Sequence, residues 1–478
     1  MTEALTAADL PLVQRLNVPD VEQAFLRLAA RPHCLFLDSA RHDPQLGRYS
    51  FLAADPFAWF ERGTESVDSL VELAAALAKC HAATVPGLPP FQGGAAGLFA
   101  YDLAHQLERL PRPAYDEFAV PALAVGLYDV VLAIDHAAPA AWLISQGFPE
   151  LDPQRRRKRA AERLAEFRRW LDEPIPGGRS IAGPAPPKTL RRIMPRELAP
   201  QFAVPGPNGL TSNFSRPDYL AAVARAIEYI RAGDIFQVNL SQRLLCPALD
   251  DAVQFYLRLR RRNPATFAGY FDLGEFQIAS ASPERFLRVQ GNAVETRPIK
   301  GTRRRTAWPE ADLFAGDDLQ QSDKDRAENV MIVDLLRNDL ARVCRPGSIR
   351  VTQLCRLETY EFVQHLVSAV VGTLSVGQAP LDLLRAAFPG GSITGAPKIR
   401  AMQIIAELEP TARGAYCGAL GYLGFDGSLD TNILIRTITA GRGWWQAPVG
   451  GGIIAQSVPE HEYEETWHKA TGLLRAFV

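Results

Sequence analysis

Nine prolines crowd the segment from Pro174 to Pro207, which includes PIPGG and GPAPP. Each proline fixes φ and lacks a backbone N–H, so neither a continuous helix nor a central strand is expected through it. The sequence therefore divides into an N-terminal region (1–173), a Pro/Gly-rich linker (174–210) and a C-terminal region (211–478). A short strand in KTLRRIM (188–194) is the one regular piece expected inside the linker. The 478 residues set a length prior of about three domains.

Charge removes several functions. The 52 Lys and Arg nearly balance 53 Asp and Glu, leaving a formal net charge of −1. No global field favours nucleic acid or an anionic membrane. The basic run RRRKRAAERLAEFRRW (155–170) has helical spacing. Without interleaved stacking aromatics it reads as a solvated helix surface, not a nucleic-acid platform. The longest apolar stretch, 119–134, holds Pro121 and Asp129 and is too short and interrupted to span a bilayer. The start, MTEALTAADL, has no apolar core of a signal peptide. Cys34, Cys80, Cys246, Cys344, Cys355 and Cys417 show no CxxC or zinc-site spacing. They read as reduced thiols of a cytoplasmic protein.

Beyond the linker, Ser215 is expected to cap a helix that runs to Ile230. Leu220, Val223, Ile227 and Ile230 would share one face, and Gly233 would stop it. FQVNLSQRL, TFAGYFDL, FQIASAS and AVETRPIKGT are strand-like, whereas ENVMIVDLLRNDLARV is helical by spacing. YCGALGYLGF and TNILIRTITA are expected to form a hairpin about Asp426 and Gly427. Strands and helices mix without strict alternation, which predicts an α+β fold with helices outside antiparallel sheets.

Four clusters carry chemistry. Glu284 in SPERFL and Lys300 in PIKGT fall on two neighbouring strand-like runs. Burial would let such a pair divide acid and nucleophile roles; a surface salt bridge is the competing reading. Asp325 with Glu328, and Glu462 with Glu465, are each three apart on helical segments. If the pairs face one another they supply hard oxygens for Mg²⁺; otherwise they are solvated helix faces. FPGGSITGAPK lacks the GxxxxGK[ST] pattern, and Lys398 is out of place for it, which excludes a P-loop. Its backbone N–H groups can still meet an anion. Gly450, Gly451 and Gly452 permit close backbone approach, either as an anion nest or as a flexible turn.

DIFQVNLSQR, ASPERFL, ETRPIKGTRRR, DRAENVMIVDLLRNDLARV, FPGGSITGAPKIRAM, LDTNILIRT and EETWHKA follow one another in this chain. That succession resembles the chorismate-utilising enzymes of the anthranilate synthase component I family. It runs strongly from Ser215 onward and more loosely upstream, where FLDSARHDPQLGRYSFLAADP is the clearest match. The resemblance implies two large antiparallel sheets packed as a sandwich with helices outside, the two regions interlocked. Within the family, PIKGT is similar to the aminodeoxychorismate synthase branch; other branches usually carry Ala where Lys300 stands. The implied reaction turns chorismate and ammonia into 4-amino-4-deoxychorismate, for 4-aminobenzoate and folate. Lys300 would attack C2, a step that needs its neutral form, and Glu284 would protonate the departing C4 hydroxyl.

Other roles follow by position. Glu328 and Glu465 match the family's Mg²⁺ ligands, with Asp325 and Glu462 supporting them through waters. Arg436 matches the residue that grips the enolpyruvyl carboxylate. Gly301, Thr302, Tyr416, Gly450, Gly451 and Gly452 match substrate contacts, and His365 a histidine near the ring hydroxyl. Gln237 stands where water-adding isochorismate and salicylate enzymes carry a lysine base, and an amide cannot deprotonate water. Ser39, Arg48, Tyr49, Ser50, Phe51, Thr266, Phe267 and Ala268 match a tryptophan pocket of some members. No segment resembles a glutaminase nucleophile loop, so a glutamine amidotransferase partner is expected to supply ammonia. Anthranilate synthesis, or an inactive glutaminase-binding paralogue, are the alternatives.

Overall fold

Largely buried runs of five to eleven residues such as YSFLA and QVNLSQRLLCP pair antiparallel into two sheets. The computed structural model describes residues 11–175, 192–305, 308–359 and 363–477. MTEALTAADL and most of KTLRRIM lie outside them; residues 192–194 form no strand. Among the described residues no helix is long and apolar enough to cross a membrane.

Among the described residues the larger sheet has 13 strands. It begins at Leu12–Leu16 and passes through Ala140–Ser145, Val130–Asp135, Tyr49–Ala53 and Leu35–Asp38. It continues through Phe267–Asp272, Phe276–Ser282, Thr437–Gly441, Trp444–Ile453 and Gln237–Pro247, and ends at Thr211–Ser212 and Phe202–Ala203. Gly395–Ala396 pairs Gln237–Pro247 from the side. The smaller sheet has, among the same residues, 10 strands, nine of them in the order Ile299–Arg304, Val363–Thr373, Ala293–Thr296, Arg285–Gln290, Leu429–Asn432, Ala419–Gly424, Gly94–Phe99, Leu123–Tyr128 and Ala58–Arg62. Arg350–Thr359 pairs Val363–Thr373. The two sequence regions share both sheets: Leu35–Asp38 pairs Phe267–Asp272, and Gly94–Phe99 pairs Ala419–Gly424.

One core joins the sheets face to face, with Phe51, Val131, Phe271 and Ile278 from the larger meeting Leu98, Ala124, Leu420 and Tyr422 from the smaller. A second core packs helices Val21–Leu28, Pro153–Asp172 and Ala252–Arg262 on the larger sheet. A third packs Asp323–Ala341 and Pro380–Ala387 on the smaller one. Burying each sheet on both faces explains why inner strands such as Gly94–Phe99 are apolar throughout rather than alternating. The expected α+β sandwich with outer helices is the architecture observed.

Details differ from the sequence reading for local reasons. The helix expected from Ser215 spans Arg216–Arg231, and the Ser215 side chain accepts the Asp218 N–H. Its buried face is Tyr219, Ala222, Val223, Ala226 and Ile227, so Leu220 and Ile230 sit at its margins. The basic helix is not solvated all round: Ala160, Phe167 and Trp170 are buried, and Arg163 pairs with Asp55 at 2.8 Å. AVETRPIKGT breaks at Arg297 and Pro298 into Ala293–Thr296 and Ile299–Arg304, as expected where proline removes a ladder donor. TNILIRTITA does not stay in one hairpin. Leu429–Asn432 pairs back on Ala419–Gly424, and the chain then crosses to the larger sheet as Thr437–Gly441.

Candidate active site

Glu284 precedes strand Arg285–Gln290, and Lys300 lies in Ile299–Arg304. These strands are not neighbours; Val363–Thr373 and Ala293–Thr296 stand between them. The two side chains meet instead through Ser392, in the FPGGSITGAPK segment. Ser392 Oγ donates to Glu284 Oε1 at 2.7 Å, and Lys300 Nζ donates to the Ser392 carbonyl at 3.0 Å. Glu284 is only 4% exposed, so the surface salt bridge is not what forms. Burial pushes its carboxyl up to about 7, against the opposing pull of the Ser392 hydrogen bond, the Lys300 charge and the Ile299 N–H. A buried acid of that kind holds a transferable proton near neutrality.

Lys300 is aimed by a bulge. The register with Val363–Thr373 shifts between Lys300 and Thr302, leaving Gly301 unpaired at φ 70°. A Cβ there would fall 2.7 Å from Leu319 Cδ1 and 3.0 Å from the Asp325 carboxyl. Only glycine suits both that φ and that space. Thr302 pairs through its backbone with His365.

Arg436 lies where the chain changes sheets, at φ 51°. A non-glycine residue held in this region is a strained backbone site. Burial lowers the basicity of its guanidinium, opposed by Glu284. His365 is buried, and desolvation together with the Arg436 charge holds its pKa down to about 3. It is therefore neutral at physiological pH. Tyr416 is buried over the Arg413 guanidinium at 6.0 Å.

Carboxylates gather around the glycine triplet. Gly450, Gly451 and Gly452 are not a turn or a nest: they lie inside strand Trp444–Ile453, paired with Ser241, Leu240 and Asn239. A Cβ on Gly450 would be 2.5 Å from the Leu240 carbonyl oxygen. On Gly451 it would be 3.5 Å from both Glu462 Oε2 and Glu465 Oε1, and on Gly452 3.5 Å from Glu328 Oε2 and 2.2 Å from Gln237 Nε2. The helices Asp323–Ala341 and Pro459–Leu474 thus turn their carboxylates onto one strip of backbone. Asp325 turns aside toward Gly301 and Arg303. Burial raises Glu328, opposed by Lys300 and Lys324. Burial raises Glu465, but Lys469, 2.7 Å away, together with Lys324 and Lys300 outweighs it and holds the carboxyl low.

These residues suit a divalent cation. Glu462 Oε2 is buried with no hydrogen-bond partner, while its Oε1 takes Ser457 Oγ at 2.6 Å and Lys324 at 3.3 Å. Among the described residues no three acidic, His or Cys side chains could hold a metal alone. Mg²⁺ requires only one or two carboxylates, because water and substrate complete its shell.

Comparison with known proteins adds the family. Residues 33–475 match the family described as chorismate binding enzyme. The chain belongs to that family. Anthranilate synthase component 1 of Thermus thermophilus is 44% identical over 391 residues, covering 82% of this chain and 79% of that protein. Aminodeoxychorismate synthase component 1 of Klebsiella aerogenes is 39% identical over 471 residues, covering 95% and 96%. The crystal structure of anthranilate synthase component I from Streptococcus pneumoniae TIGR4 aligns with a TM-score of 0.73 at 29% identity, covering 91% and 93%.

Apart from these site residues, this chorismate-binding enzyme has a concavity of about 110 Å³. Ser39, Arg48, Tyr49, Phe51, Thr266, Phe267 and Ala268 line it. Ser50 does not: strand alternation turns it to the other face, where its hydroxyl donates to Asp38 at 3.2 Å. The sequence reading missed Ser392, although it singled out the glycine-rich segment that carries it. It also missed Lys469, whose signal was its i,i+4 spacing from Glu465.

Proposed function

We propose that this chorismate-binding enzyme is an aminodeoxychorismate synthase component I, converting chorismate and ammonia to 4-amino-4-deoxychorismate for 4-aminobenzoate and folate. The observation that carries this reading is Lys300 held beside a buried, protonatable Glu284 through Ser392. Neutral Lys300 Nζ bonds to C2, both ring double bonds shift (C1=C2 to C1=C6 and C5=C6 to C4=C5), and the C4–O bond breaks as Glu284 hands its proton to the departing hydroxyl. Ammonia then bonds to C4, both double bonds shift back, and the C2–N bond to Lys300 breaks. Splitting the substitution in two replaces one hard step with two easier ones. Arg436 would take the enolpyruvyl carboxylate in its planar fork. His365, neutral, would hydrogen-bond near the ring hydroxyl without adding charge.

Glu328 and Glu465 would hold Mg²⁺, with Glu462 and Asp325 behind them; the ion would neutralise the ring carboxylate. Gly450 to Gly452 and Gln237 would let the ring approach closely. The relatives are named component 1, which implies a second component; we assign it as a glutamine amidotransferase that supplies ammonia. The 110 Å³ concavity would take tryptophan.

Anthranilate formation is the second reading, favoured by the 44% identity to the Thermus thermophilus protein. Incubation with chorismate, Mg²⁺ and ammonium decides between them. The expected product is 4-amino-4-deoxychorismate, converted to 4-aminobenzoate on adding the lyase. Fluorescent anthranilate as the main product would replace our reading with the second one.

A further inference from the structure

We propose that Ser392 is a positioning residue that serves both reacting side chains at once: its hydroxyl fixes the Glu284 carboxyl and its carbonyl fixes the Lys300 amine. The inference deepens the proposed reaction and rests on it for the roles of those two groups.

The geometry is closed on every side. Ser392 is 8% exposed and sits in the short turn Gly391–Ile393. Its hydroxyl reaches Glu284 Oε1 at 2.7 Å and its carbonyl receives Lys300 Nζ at 3.0 Å. The turn itself is pinned. Arg413 Nη1 donates to the Ile393 carbonyl at 3.0 Å, and Thr394 Oγ1 donates to the Gly390 carbonyl at 2.9 Å. Lys398 binds Asp339 at 2.7 Å and the Ala387 carbonyl at 2.6 Å. Gly390 and Gly391 lie flush on neighbours: Cβ atoms there would come 2.6 Å from Ile433 Cδ1 and 2.7 Å from Leu335 Cδ2. A serine so held cannot follow either partner; both must come to it.

Each contact has a chemical consequence. A hydroxyl donating to Oε1 stabilises the carboxylate left after proton delivery, against the burial that favours the acid. A neutral amine has two N–H bonds and one lone pair. Committing one N–H to a fixed carbonyl limits where the lone pair points, which is orientation set before the reaction begins. The other charged or titratable groups acting on Glu284 are Lys300, Arg436 in the sheet crossing and the buried Cys417 thiol. None of them changes in a Ser392 variant.

The test is Ser392→Ala in the full chain, assayed with chorismate, Mg²⁺ and ammonium across pH. Removing the donor should lower kcat by about ten-fold or more. It should also move the alkaline limb of the kcat profile upward by about one pH unit, with KM for chorismate little changed. Infrared difference spectra supply a readout independent of turnover: the Glu284 carboxylic C=O band, assigned by its loss in Glu284→Gln, should titrate at higher pH in Ser392→Ala. A wild-type titration of that band in the variant would overturn the proposal, as would a loss of kcat with an unmoved limb. A different product from the wild-type chain would instead overturn the reaction assignment, and leaves the infrared test of Ser392 standing.

Discussion

Glu328 and Glu465 stand on different helices, Asp323–Ala341 and Pro459–Leu474, and reach adjacent glycines of one strand. Glu328 Oε2 lies 3.5 Å from where a Cβ of Gly452 would stand, and Glu465 Oε1 3.5 Å from that of Gly451. Two carboxylates on one strip of backbone draw positive charge, here from Lys300, Lys324 and Lys469. Glu328→Gln keeps the size and removes the charge. It should raise the Mg²⁺ concentration for half-maximal activity by about ten-fold or more, in the range typical of losing a ligand-shell interaction. An unchanged Mg²⁺ titration would sink the ligand assignment.

The glycines of that strand should respond differently to one added methyl. Gly450→Ala drives Cβ to within 2.5 Å of the Leu240 carbonyl oxygen, a backbone atom that cannot rotate away. It should destabilise the chain by about 1–3 kcal/mol. Gly451→Ala meets nothing closer than 3.5 Å, so its melting temperature should stay near wild type. Its methyl nevertheless occupies the space among Glu462, Glu465 and Lys469, and activity should fall. Melting curves and chorismate turnover on both variants check this; equal losses of stability would contradict it.

Much of this was legible in local sequence, and most of the failures come from pairing between distant segments. Asp325–Glu328 and Glu462–Glu465 announce shared helix faces by spacing alone, because a helix repeats every few residues. Glu284 and Lys300 stand out by residue type and motif. Sheet order is different: it depends on pairings far apart in sequence, so nothing near Lys300 says that two strands separate it from Glu284. The glycine triplet reads as a turn because glycine has poor strand propensity. Pairing with Asn239, Leu240 and Ser241 overrides that preference. TNILIRTITA is continuous in β propensity, yet the backbone at Arg436 turns it into the other sheet. Ser50 came with Tyr49 and Phe51 through the family resemblance, and strand alternation separates them.

Lys300 gives the sharpest chemical prediction. Lys300→Ala removes the proposed nucleophile and leaves Ser392 and Glu284 bonded to each other. Aminodeoxychorismate formation should fall by at least about 100-fold, the scale of losing covalent catalysis rather than a contact. Mass spectrometry of quenched wild-type enzyme should reveal a chorismate-derived adduct on the peptide that carries Lys300. Near-normal turnover of the variant would rule out an essential covalent lysine.

Arg436 tests the carboxylate grip. Its guanidinium is planar and forked, and an ammonium cannot reproduce two parallel N–H donors. Arg436→Lys should raise KM for chorismate by about ten-fold or more, with a smaller change in kcat. An unaltered KM would place the enolpyruvyl carboxylate elsewhere.

Asp102 offers a stability test remote from chorismate. It is 6% exposed and accepts the Gly414 N–H at 2.8 Å. Burial pushes its carboxyl from the ordinary 3.8 up to about 7, with Asp116 and Glu409 adding to the rise and the Gly414 N–H and Arg413 opposing it. Between those two values the folded chain keeps a proton that the unfolded chain has released. Stability contributed by this site therefore falls as pH rises from about 4 to 7 and is level above that. Asp102→Asn keeps an acceptor for Gly414 and cannot ionise. Measured by denaturant unfolding, the variant should gain on wild type between pH 5 and pH 8, by at most about 3 kcal/mol. All other titrating groups are common to both proteins and cancel in the difference. Parallel pH–stability curves for the two proteins would mean that Asp102 does not hold its proton in the fold.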